Sequence, residues 1–107
     1  MNLTLSTWQH DGVVTVGVAG DIDLATRDEL NSALVAATET DGVEAVEVDL
    51  SGVQFIDSSG IAVLLRCRRL AEAAGVAYRI VAASDLTQRI LSVGGVWQLL
   101  TGEGEQA

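Results

Sequence analysis

The chain has 107 residues, of which 49% are hydrophobic, chiefly Val, Leu, Ile and Ala with four aromatics; that is enough for one domain with a real core and too little for two. Six arginines and no lysine stand against fifteen acidic residues, and the net charge of -9 argues against nucleic acid and anionic lipid as partners, because binding to either depends on clustered cations. No apolar run approaches the roughly 20 residues of a membrane span, residues Met1 to Leu5 lack the features of a secretion signal, and Cys67 and His10 are each alone of their kind, so the expectation is a cytoplasmic protein with neither metal nor cofactor.

Residues 3–8 alternate, with Leu3 and Leu5 on one side and Thr4 and Ser6 on the other, and a β-rich run follows from Val13 to Val18. The short gap holding Asp11 and Gly12 predicts a hairpin. A second turn is expected at Gly20–Asp23. Thr26-Arg27-Asp28-Glu29 fits a capping box opening a helix, on which Leu30, Ala33, Leu34 and Ala37 share a face and which stops near Asp41-Gly42. From Glu44 to Leu50 the alternation is strict, with Val46, Val48 and Leu50 inward, as in a strand of a sheet whose other face meets water.

The next helix spans about Ser59 to Ala74 and ends at Gly75, with Gly60, Val63, Leu64, Cys67, Leu70, Ala71 and Ala74 on its core stripe. Val76 to Ala82 is a strand, Ser84 caps a helix through Val93, and Val96 to Leu100 is expected as a last short strand. Residues 101–107 form a polar tail, so the single domain 1–107 has its ordered core at about 3–100. Strand-helix-strand crossovers of one hand put the helices on one side of the sheet. The predicted class is α/β: a two-layer domain with a mixed, mostly parallel sheet and its helices on one face.

Chemistry concentrates between Asp49 and Leu65, where Asp57-Ser58-Ser59-Gly60 lies between a strand with its loop and the start of a helix. A helix N-terminus offers unpaired N–H groups and the positive end of its dipole, so an anion on a serine there would be well received. Asp57 or Ser58 as N-cap accounts for one polar residue, but not for three together with a glycine. On the same helix Leu65 points away from the core stripe, flanked by Ile61 and Ala62 and with Arg69 one turn along; this predicts an exposed apolar patch beside Ser58. Arg66, Arg68 and Arg69 form a local basic cluster on the same helix, read as solvated or ion-paired, with contact to a kinase as the alternative.

The stretch from Asp49 to Leu65 resembles the signature of STAS domains of the anti-sigma factor antagonist type. Gly20-Asp21-Ile22-Asp23-Leu24-Ala25-Thr26 is similar to the second recurrent segment of that family. The resemblance implies a STAS-like fold, Ser58 as phosphoacceptor, and Asp23 close to it along with Asp57, Ser59 and Gly60. It implies an anti-sigma factor that is itself a serine kinase as partner, and a serine phosphatase that reverses the mark. Unphosphorylated, such a protein binds the anti-sigma factor and releases the sigma factor. The chain departs from the family at Ala62, where many members carry a second glycine, and after Leu100, where the family's final helix is expected to be missing or vestigial.

Two other functions fit less well. A STAS domain can be a non-switching adaptor, as in lipid-transport complexes, and such a protein would be insensitive to Ser58→Asp. An enzyme using Ser58 or Ser59 as nucleophile would need an adjacent base, which His10 is badly placed to be, and neither a nucleophile elbow nor a phosphate-binding glycine loop occurs.

Overall fold

A computed structural model describes residues 2–101. Strand β1 (Leu3–His10) turns back into β2 (Val13–Ile22), followed by helix α1 (Arg27–Thr38), strand β3 (Ala45–Ile56), helix α2 (Ser58–Ala73), strand β4 (Ala77–Ala83) and helices α3 (Asp85–Ser92) and α4 (Val96–Thr101). The sheet order is β1-β2-β3-β4, antiparallel at the hairpin and parallel across the other two pairs.

Local chemistry explains the hairpin. Asp11 and Gly12 both sit at positive φ, 51° and 81°, as a two-residue turn matched to the strands' twist requires. Across β2 and β3, Val14 and Val16 pair with Val46 and Val48; these four, with Val18, Leu50 and Ile80, are buried. Their strand neighbours Thr15, Gly17, Glu47, Asp49, Arg79 and Val81 stay half-exposed or exposed. All the core therefore lies on one face of the sheet, under the helices, and the other face is left to solvent.

Strand β3 runs six residues past Leu50, the end that alternation predicts. The register with β2 shifts between Gly17 and Ala19 and again between Gly20 and Asp21, and at each shift β3 carries one residue more than β2. These bulges replace the period of two, so Leu50, Val53 and Ile56 are buried at intervals of three. The added pairing also corrects the turn expected at Gly20–Asp23. Gly20, Asp21 and Ile22 continue β2 against Val53, Phe55 and Ile56, and the chain turns only after Ile22.

The capping box at Thr26 does not form. The Thr26 hydroxyl makes no cap bond to α1; it donates to the Asp21 carbonyl at 2.8 Å and accepts from the Asp23 N–H at 3.0 Å. The loop engages this buried hydroxyl, and the Thr26 backbone is in the helical region, not the extended one that a capping residue takes. Helix α1 ends at Thr38, ahead of the predicted stop.

Val96–Leu100, expected as a strand, is helical. Short apolar runs do not distinguish the two by periodicity alone; here Leu100 is fully buried and Val96 and Trp97 pack partly against the core, the spacing of one helical face. A helix thus follows α3 where the family's final helix was expected to be missing or vestigial, and six of its residues, Val96–Thr101, are described. Of the expected polar tail, Thr101 belongs to α4, and residues 102–107 lie outside the described residues.

Candidate functional site

The edge of the fold that matters is where β2 and β3 end together. Ile22 pairs with Ile56, and the Asp57 N–H donates to the Ile22 carbonyl at 3.2 Å. The loop after β2, which holds Asp23, is thus brought alongside the start of α2, which holds Ser58. Asp23 has work of its own there. Its Oδ1 accepts from the backbone N–H groups of Ala25 at 3.0 Å and Thr26 at 3.1 Å, fixing the shape of the loop.

At the helix start the coordinates separate residues that sequence alone leaves equivalent. Asp57 is the N-cap, with extended backbone. Its Oδ1 accepts from the Ser59 N–H at 2.9 Å, the Gly60 N–H at 3.2 Å and the Ser59 hydroxyl at 2.6 Å. Ser59 is therefore turned inward onto the cap. Ser58, the first residue of α2, is exposed, and its hydroxyl makes no hydrogen bond to any described residue. The two adjacent serines thus differ: one hydroxyl is committed, the other is presented to solvent at the positive end of a helix.

Gly60 is buried in the same turn for a steric reason. A Cβ there would overlap Ile22 Cγ2 and stand 3.0 Å from Ile56 Cγ1. The glycine lets the first turn of α2 sit directly on the two strand ends.

The apolar patch expected around Leu65 is only partly as predicted. Ala62 and Arg69 are exposed, but Leu65 and Ile61 are half-buried and pack against the core. The reason is α4. Arg68, one turn along from Leu65 on that side of α2, donates from Nε to the Leu99 carbonyl at 3.1 Å, so α4 flanks the side of the helix that a terminal strand would have left open. At the other end of α2, Leu70 and Ala74 were placed on the core stripe but are exposed. Leu70 lies at the stripe's margin and Ala74 is the C-cap.

Residues 5–101 match the family described as Mlab, STAS domain. An anti-sigma-F factor antagonist of Mycobacterium tuberculosis is 30% identical over 96 residues, covering 89% of this chain and 76% of its own length. An anti-sigma F factor antagonist of Paenibacillus polymyxa is 27% identical over 100 residues, 94% of this chain and 86% of its own. The chain belongs to the STAS domain family, in its anti-sigma factor antagonist type. The crystal structure of an anti-sigma factor antagonist from Mycobacterium paratuberculosis superposes with a TM-score of 0.82 at 29% identity, covering 92% of this chain and 83% of that one.

Within this STAS domain, two exposed apolar residues beside the site escaped sequence reasoning. Leu24 is 66% exposed in the loop shaped by Asp23, and Phe55 is 47% exposed next to the strand end. Leu24 belongs to no periodic pattern, and an apolar side chain between turn residues is the one signal that marks it. Phe55 falls in the stretch after Leu50 that reads as a loop, where no period marks an exposed aromatic. No helix among the described residues is long and apolar enough to cross a membrane.

The cap has a pH signature. The Ser59 hydroxyl bond, assisted by the Gly60 and Ser59 N–H groups and opposed by desolvation, holds the Asp57 carboxyl below its usual range. A depressed folded-state value means that Asp57 stabilises the fold fully above the ordinary aspartate value of about 4 and stops doing so once pH falls below the depressed value. In urea denaturation across pH, the wild type's advantage over Asp57→Asn is expected to be constant at neutral pH and to vanish at the acid end. An advantage that grows as pH falls would contradict the cap.

Proposed function

We propose that this STAS domain is an anti-sigma factor antagonist that binds an anti-sigma factor serine kinase while Ser58 is unmodified, is released when that kinase phosphorylates Ser58, and is reset by a serine phosphatase. One observation carries the reading: the Ser58 hydroxyl is exposed and uncommitted at the N-terminus of α2, while Ser59 is tied to the cap. A kinase needs such a hydroxyl. The names of the relatives favour the same role.

The physics of the switch is local. A phosphoserine carries about -1.5 to -2 charges at neutral pH. In water the helix dipole and first-turn N–H groups tolerate it, so the domain stays folded. Docked, it would lose water beside the ionised Asp57, with Asp23 on the neighbouring loop adding repulsion. The partner would rest on Ile61, Ala62, Leu65 and Arg69 of α2 and on Leu24, across Ser58. A non-switching adaptor does not require an exposed serine at this position.

The test is to incubate the protein with the anti-sigma factor kinases encoded in its own genome and ATP, and to locate any phosphate by mass spectrometry. One phosphate, on Ser58 and absent from Ser58→Ala, is expected. A phosphate on Ser59 instead, or none with any kinase, would remove the switch and leave the adaptor.

A further inference from the structure

A hollow of about 250 Å3 lies between α1 and α2, lined by Arg27, Asp28 and Asn31 of the first helix and Ser59, Ala62 and Arg66 of the second. It gathers two of the six cationic side chains of a protein whose net charge is -9. Neither is strongly neutralised. Arg66 makes no ion pair with a described residue. Arg27 Nε stands 4.0 Å from Asp28 Oδ1, and the Asp28 side chain is 97% exposed, a pairing that water screens heavily. The basic cluster expected on α2 is thereby divided: Arg68 turns to Glu72 and Leu99, whereas Arg66 faces the hollow.

The third polar group points to the same chemistry. Asn31 Oδ1 accepts from the Cys67 thiol at 3.6 Å, and its N–H2 adds two donors beside the guanidinium groups. Two guanidinium forks and an amide donor around one small space suit a carboxylate, which accepts two parallel N–H bonds from an arginine. Ser59 and Ala62, on the rim, flank Ser58 and the docking face of α2, so a partner covering Ser58 covers this mouth as well.

We propose that the hollow receives an acidic side chain, Asp or Glu, of the anti-sigma factor docked over Ser58. This rests on the function proposed above. Asp28 competes for Arg27, so Arg66 is the principal contact. The pair fixes the orientation of the complex, which is what charge complementarity at an interface chiefly supplies.

The experiment compares wild type, Arg66→Lys, Arg66→Glu and Ser58→Asp for binding to the anti-sigma factor that wild type binds, at low and high salt. Arg66→Glu is expected to weaken binding by about 10- to 100-fold and to flatten its salt dependence, with Arg66→Lys between it and wild type. Reversing one acidic residue on the anti-sigma factor to Arg should restore binding to Arg66→Glu, a rescue that a misfolded variant would not give. If Arg66→Glu binds as wild type does while Ser58→Asp fails to bind, the hollow is not an anchor, and the switch stands without it. If wild type binds no anti-sigma factor, both proposals fall.

Discussion

Ser58→Asp is expected to lower affinity for the anti-sigma factor by about a hundredfold or more, while Ser58→Ala stays within about threefold of wild type. The asymmetry follows from what each change does at the interface. Alanine removes a hydroxyl that has no partner among the described residues, so none of them is left unsatisfied. Aspartate introduces a charge at the first residue of α2, one position from the Asp57 carboxylate, whose pKa the cap holds low. Burying it beneath a partner without a counter-charge costs several kcal/mol, and each ~1.4 kcal/mol is tenfold in affinity. The free protein should hardly notice, since an acid in the first turn suits the helix dipole. Calorimetric binding together with urea denaturation checks both halves: affinity lost, stability kept. Equal binding of all three proteins would remove the charge mechanism.

Gly60→Val is expected to destabilise the domain by more than about 3 kcal/mol, and Gly60→Ala by about 1–2 kcal/mol. Alanine would ordinarily gain nearly 1 kcal/mol over glycine within a helix. Here its Cβ overlaps Ile22 Cγ2 and crowds Ile56 Cγ1, two side chains buried to 0% and 3% exposure with no space to retreat into, and such overpacking commonly costs 1–3 kcal/mol. Valine adds two methyl groups and a stiff χ1 in the same place. Because Ile22 and Ile56 close the strand ends that carry the Asp23 loop and the α2 cap, the damage should reach the site. Gly60→Ala should weaken partner binding in addition to lowering the urea midpoint. A Gly60→Ala protein more stable than wild type would show that the close approach is not real.

Much of the fold is legible before any coordinates because its elements obey simple periods. The Asp11-Gly12 turn, the inward Val46, Val48 and Leu50, and the α2 stripe of Gly60, Val63, Leu64, Cys67 and Ala71 each repeat at the spacing of their element. What was hidden lay where tertiary structure overrides period. The two bulges break the alternation of β3, so its last six residues read as loop. Thr26 has the spacing of a capping residue, yet the Asp21 and Asp23 backbone groups claim its hydroxyl. Val96 to Leu100 is too short for either period to win, and the helical wheel of α2, which sets Leu65 away from the core stripe, cannot register that α4 flanks that side of the helix.

The site divides the same way. The sequence puts Asp57, Ser58, Ser59 and Gly60 at a helix start, but Asp and Ser cap equally well. Only the bonds to Asp57 Oδ1 reveal which serine is committed. The hollow with Arg27 and Arg66 is invisible in one dimension, because its two cations lie on separate helices brought together by the sheet.

In the proposed switch, a phosphate on Ser58 and nothing larger decides whether this surface is bound. The most direct measurement takes one preparation, phosphorylates half of it at Ser58, and titrates both halves into the same anti-sigma factor, with circular dichroism recorded on each. Overlapping spectra, tight binding by the unmodified half, and at least about a hundredfold weaker binding by the phosphorylated half are expected. Equal affinities would contradict the switch, and so would a loss of affinity accompanied by loss of the helical signal, which would mean that the phosphate acts by unfolding the domain.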